Sequence, residues 1–229
     1  MCFSATASFG AAAVLGTIGA VAMSKAKKPS HKMFAAIPLV FATQQACEGL
    51  LWLALTNDGF EPWRVIATYG FLFFAQILWP VWVPMSVLLV EQDTKHKRWL
   101  LWATGGGVVC SLIMIYRVMV FDVFAEIQNH HIVYYVNDSI SLIVLSSTLY
   151  FMATVIAAFF SSIRQMKWLG ILSFGSLVIS RIFYKMYFIS VWCFFAALLS
   201  VVVIYILKHI HDTSSANDAY NIRDKHYSS

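Results

Sequence analysis

Runs of about twenty apolar residues recur seven times along the chain, and they limit its fold more than any other feature. They fall at about 3–23, 33–55, 65–90, 99–119, 139–160, 168–184 and 187–207. Backbone in hydrocarbon finds no water, so each run must satisfy its own N–H and C=O groups, and a helix does so within one segment. The expected fold is therefore all-α: a polytopic membrane protein with seven transmembrane helices in one domain, 1–211. The remainder, 212–229, is polar and lacks apolar periodicity, which predicts a disordered tail. Hydrophobic residues make up 60% of the chain and charged residues 12%, which excludes an ordinary soluble domain. The partner implied is the lipid bilayer.

Lys and Arg set the expected orientation. Lys25, Lys27, Lys28 and Lys32 follow the first run, Lys95, Lys97 and Arg98 the third, Arg164 and Lys167 the fifth, and Lys208, Arg223 and Lys225 the last. Arg64, Arg117, Arg181 and Lys185 lie on the opposite side. This bias of twelve to four places the amino terminus outside and the carboxyl terminus in the cytoplasm. The net charge of +5 comes from these short loops, and no basic face interleaved with aromatics appears. Nucleic acid is therefore not an expected partner. The first run is not expected to be a secretory signal, because no Lys or Arg precedes Lys25.

Glu48 is the only acidic residue inside any of the seven runs. A carboxylate at membrane depth costs several kcal/mol unless it is protonated, paired or wetted. Helical spacing puts Phe41, Gln45, Glu48 and Trp52 on one stripe, with Gln44 one turn before Glu48. Gly49 removes a side chain beside the carboxylate and lets a neighbouring helix or a ligand come close. An intramembrane site is the functional reading; a glutamate that only locks helix packing is the bland one.

Other polar groups converge on the same depth. With a rise of about 1.5 Å per residue, Glu48 lies about 10 Å and Cys193 about 9 Å below the outer boundary. Trp192 precedes Cys193, while Cys2 and Ser4 open the first run. Arg117 closes the fourth run on that side, and Arg181 and Lys185 close the sixth. Arg181 is the expected partner of Glu48 or of an anionic ligand, because a guanidinium binds a carboxylate bidentately. The connection 120–138 is the one long outer loop, with His130 and His131 among its polar residues, and suits a lid or re-entrant element. Pro80 and Pro84 mark the third run as a kink candidate. The four cysteines show no CxxC or CxxH spacing, so no metal site is expected.

Met1-Cys-Phe-Ser-Ala-Thr-Ala-Ser-Phe9, Ile37-Pro-Leu-Val-Phe-Ala-Thr-Gln-Gln-Ala-Cys-Glu-Gly49, His130-His-Ile-Val-Tyr134 and Ser190-Val-Trp-Cys-Phe-Phe-Ala-Ala197 resemble a family of uncharacterised bacterial integral membrane proteins. The resemblance spans most of the chain except the tail. It implies a multi-pass protein of the bacterial inner membrane and supplies no reaction. Two better-known seven-helix families fit poorly. Microbial rhodopsins need a mid-membrane Lys in the last helix, and the seventh run has none before Lys208. Zinc-dependent hydrolases related to alkaline ceramidase need histidines grouped at helix ends, whereas His209 and His211 stand at the cytoplasmic end, far from Glu48.

Three functions remain open at this point. The first is binding or transport of a small molecule or ion at Gln44, Gln45, Glu48, Trp52, Arg117, His130, His131, Arg181 and Trp192. The second is a membrane-embedded enzyme using Cys2 or Cys193 as nucleophile with Glu48 as acid or base. The third is a sensor or structural subunit whose polar residues only pack. No residue pattern names a cofactor.

Overall fold

The computed structural model describes residues 4–183 and 199–210, together with Ile189, Val191, Trp192, Phe195 and Ala197. The chain is mostly helical. Among the described residues, six helical stretches are long and apolar enough to cross a membrane: Ala5–Lys25, Pro29–Thr56, Asp58–Val90, Thr94–Val120, Ile140–Phe160 and Arg164–Phe183. Ser200–Ile210 is a shorter apolar helix. These are the features of a multi-pass membrane protein. Large apolar side chains face outward along the stretches, with Trp102 71%, Met119 80% and Ile140 80% exposed, as lipid-facing surfaces require.

Local chemistry sets the element ends. Helix α1 (Ala5–Lys25) starts at Ser4, whose Oγ accepts the Ala7 N–H at 3.2 Å. Helix α2 (Pro29–Ala35) opens on a proline, and α3 (Ile37–Thr56) has one at its second position. A short 3₁₀ turn (Asp58–Trp63) leads into α4 (Arg64–Leu72), a π-helical segment (Phe73–Leu78) and α5 (Trp79–Val90). Helix α6 (Thr94–Val120) is capped by Asp93, which accepts the His96 N–H at 3.0 Å. Helix α7 (Ile140–Thr154) continues into a 3₁₀ turn (Ile156–Phe160), followed by α8 (Arg164–Phe183) and α9 (Ser200–Ile210).

The π segment follows from Pro80. Its ring would collide with the carbonyl four residues earlier, and a wider turn relieves that crowding. Carbonyls freed along the segment find side chains on neighbouring helices. Tyr150 of α7 donates its hydroxyl to Ala75 O at 2.7 Å, and Ser111 of α6 donates to Ile77 O at 2.5 Å. The expected kink is therefore present as a π bulge locked from two sides.

Helices α1 and α3 pack closely and antiparallel. A Cβ on Gly19 would sit 2.5 Å from Leu39 Cγ, and one on Gly49 would sit 2.9 Å from Phe9 Cζ. Lipid gives no hydrophobic drive between helices, so such small-residue contacts supply the packing. Helix α3 also meets α4 and the π segment, and Phe41 stacks on Trp79 of α5 at 4.0 Å.

The long loop expected to form a lid or re-entrant element is not helical, so the chain is mostly rather than wholly helical. Residues 120–138 hold an antiparallel hairpin of β1 (Val123–Gln128) and β2 (His131–Val136), paired from Val123↔Val136 to Gln128↔His131. Asn129 (φ 47°) and His130 (φ 62°) form its two-residue turn in the left-handed region. Ala125 and Ile132 are each 1% exposed and pack with Leu51, Trp52 and Ala67. Arg64 Nη2 donates to Ala125 O at 2.8 Å, and Tyr134 stacks on Phe71 at 4.8 Å. The hairpin thus covers the end of α3 and α4.

Candidate functional site

Beneath the hairpin, α3 carries three fully buried polar residues: Gln44, Gln45 and Glu48, each 0% exposed. Trp52, 5% exposed, lies one turn above Glu48 and touches the hairpin's cluster. Phe41 closes the other end of the stripe at 6% exposure. The helical spacing expected from sequence therefore holds in full, and all four stripe residues are buried.

Hydrogen bonding in this cluster is incomplete. Trp79 Nε1 donates to Gln44 Oε1 at 2.7 Å. Gln44 Nε2, both amide atoms of Gln45, Trp52 Nε1, Gln76 Oε1 and Ser8 Oγ are buried with no hydrogen-bond partner among the described residues. Each such buried group costs about 1–3 kcal/mol if nothing meets it. Ser8 comes from α1, next to the Phe9 that packs on Gly49, Gln76 comes from the π segment, one turn before Trp79, and the other three come from α3. What the arrangement offers is a set of neutral donors and acceptors beside one carboxyl group, which suits a small polar molecule, water or a cation.

Gly49 does what its sequence position implied, but toward a neighbour: the Phe9 ring of α1 occupies the space a side chain would need. On the other face, the Cys47 thiol lies 3.3 Å from where a Cβ on Gly70 would be. Glu48 is thus walled by close helix contacts on both sides.

Arg117 pairs with an acidic residue other than Glu48. It is 7% exposed and donates through Nε to Asp138 Oδ2. Its Nη1 donates to Ser146 Oγ at 2.9 Å and contacts Met114 Sδ at 3.1 Å. A guanidinium committed to a carboxylate and a hydroxyl locks α6 to the start of α7 instead.

Arg181 is exposed on the last turn of α8. His130 is exposed at the hairpin turn, away from the stripe. His131 is 7% exposed, and burial pushes its imidazole below the usual value, with the neighbouring His130 adding to the effect. Trp192 is half-buried and meets Tyr150 edge-on at 5.4 Å. Cys2, Cys193, Lys185 and the tail 212–229 lie outside the described residues. Among the described residues no group of three or more His, Cys, Asp or Glu side chains could hold a metal ion.

Two acidic residues escaped the sequence reading. Asp138 is one. Glu91 is the other, fully buried at the end of the bundle opposite the hairpin. Its carboxylate accepts Ser161 Oγ (2.8 Å), Ser162 N (2.7 Å), Ser162 Oγ (2.5 Å), Gln92 N (2.9 Å) and Asp93 N (3.0 Å). Five donors on one carboxylate tie the α5–α6 turn to the α7–α8 connection. The signal available was the acidic residue immediately after an apolar run, facing a Ser-Ser pair after another.

A family model described as a family of unknown function (DUF6629) matches residues 1–218, and the chain belongs to that family. Neither a curated protein nor a solved structure matches it.

Proposed function

We propose that this DUF6629 member is a multi-pass protein of the bacterial inner membrane that binds a small polar molecule or ion on α3, beneath the hairpin, as part of a binding or transport cycle. The last apolar stretch completes a seventh span. The amino terminus is outside, the carboxyl terminus is cytoplasmic, and the hairpin faces outward as a cover. The observation that carries the reading is Gln45. Its amide is completely buried, and neither its oxygen nor its nitrogen has a partner among the described residues. A chain gains nothing by burying an unmet amide one turn from its one mid-segment carboxyl, unless something else binds there.

The experiment is a thermal-shift screen of the purified protein in detergent with small polar solutes and with monovalent and divalent cations. Wild type should be stabilised by at least one member of the panel. Glu48→Gln and Gln45→Leu should keep the unliganded melting temperature within a few degrees but lose that shift. Variants that respond like wild type would leave α3 with a packing role only. In cells, Glu48→Gln should express normally and behave as a loss of function.

A further inference from the structure

A second space lies further along the bundle, on the far side of the Phe41–Trp79 stack from Gln45. It encloses about 70 Å³, and its walls come from α2, α3, α5, α7, α8 and α9. Trp79, Tyr150, Trp192, Val87 and Val203 are among the residues that line it. No Asp, Glu, Lys, Arg or His lines it. A charged ligand group would therefore be desolvated there with nothing to pair it.

Three of its five lining hydroxyls are already spent, and a fourth, on Ser173, is only partly buried. Ser86 Oγ donates to Val83 O, Thr154 Oγ1 to Tyr150 O, each at 2.8 Å, and Tyr150 OH to Ala75 O at 2.7 Å. Ser200 differs. It is 0% exposed, it lines the same space, and its Oγ has no hydrogen-bond partner among the described residues. A serine hydroxyl can both donate and accept, so it suits a ligand oxygen of either kind. Roughly 10–15 Å³ admits one water-sized group, so the space takes about five heavy atoms.

We propose that this cavity binds the oxygen-bearing end of a neutral lipophile, one with a single hydroxyl or carbonyl, through a hydrogen bond to Ser200. The aromatic and aliphatic walls hold the adjoining carbons, and Ser200 selects the oxygen. This site is separate from the polar cluster on α3, and neither proposal depends on the other.

The test uses the full chain in phosphatidylcholine vesicles and quenching of tryptophan fluorescence by 6-bromohexan-1-ol, with 1-bromohexane as comparison. The brominated alcohol should quench saturably, because Trp79 and Trp192 line the cavity. Ser200→Ala should raise its half-saturating concentration about fivefold, the loss expected for one hydrogen bond, and leave 1-bromohexane unchanged. A second measurement needs no variant: on the wild-type protein, hexan-1-ol should displace the brominated alcohol, and hexane at equal aqueous activity should not. Equal displacement by both, or the same half-saturation in wild type and a folded Ser200→Ala, would overturn the proposal.

Discussion

Arg117 and Asp138 form an ion pair across the base of the hairpin, with side chains only 9% and 0% exposed. The pair joins the end of α6 to the residue that precedes the α7 cap, so the hairpin leaves and re-enters the bundle between two fixed points. Removing one partner strands a buried charge. Asp138→Ala should destabilise the protein by about 3–5 kcal/mol. The double replacement Arg117→Leu/Asp138→Leu should lose less than either single change. Denaturation in mixed micelles measures both, and a near-neutral Asp138→Ala would contradict the pair's burial.

Glu91 predicts an acid-sensitive joint at the other end. Burial pushes its carboxyl up, but hydrogen bonds from Ser162, the Asp93 N–H and Ser161 outweigh that and hold it below its ordinary 4.5. A group with a depressed folded-state value adds stability above its unfolded value and loses it as pH falls through the folded one. Melting temperature should therefore drop as pH goes below about 4.5. Glu91→Gln should melt lower at neutral pH and show a flatter acid profile. Superimposable profiles for the two proteins would rule this out.

Gly107 and Gly106 should separate sharply. A Cβ at Gly107 collides with the carbonyl oxygen of Pro80, whereas one at Gly106 meets nothing within 4 Å. Backbone cannot step aside as a side chain can, so Gly107→Ala should cost about 1–3 kcal/mol. Gly106→Ala should be neutral or slightly stabilising. Thermal melts of the two variants side by side decide it.

His130 holds a φ of 62°, a conformation that suits glycine better than a branched ring. His130→Gly should relieve about 1 kcal/mol and slow amide exchange across β1 and β2. Faster exchange in the variant would mean that the imidazole itself holds the turn.

Topology follows from the distribution of Lys and Arg. Reporters fused at Asp58 or Gln128 should read as external, and those at Ser30 or Gln92 as cytoplasmic. A cytoplasmic reading at Gln128 would reverse the proposed orientation and put the hairpin inside.

The spans were legible because about twenty apolar residues in a row leave the backbone few choices. The α3 stripe was legible for the same reason: Gln44, Gln45 and Glu48 stand out only against an apolar background. The hairpin was not read as strands. Its alternation is interrupted by Ile132-Val133, and its turn is Asn129-His130 instead of the Asn-Gly that announces such a turn. The β-branched and aromatic content of 131–136 was the cue that could have found it. Glu91 and Asp138 were missed because an acidic residue just beyond an apolar run reads as loop. Glu91's serine partners lie some 70 residues away in the chain, a separation no periodicity reveals.

The π segment makes chain length itself a setting in this molecule. It holds one more residue than the α ladder would place over Phe73–Leu78. Deleting that one residue would let the segment close as ordinary α-helix with α4 and α5 still in phase, at the cost of restoring the clash between Pro80 and the carbonyl four residues earlier. The same deletion within α4 would turn everything after it by about 100°, taking Trp79 from Gln44 and the Ile77 carbonyl from Ser111. The segment is thus a stretch that can lose a residue without turning the wall shared by the polar cluster and the apolar cavity.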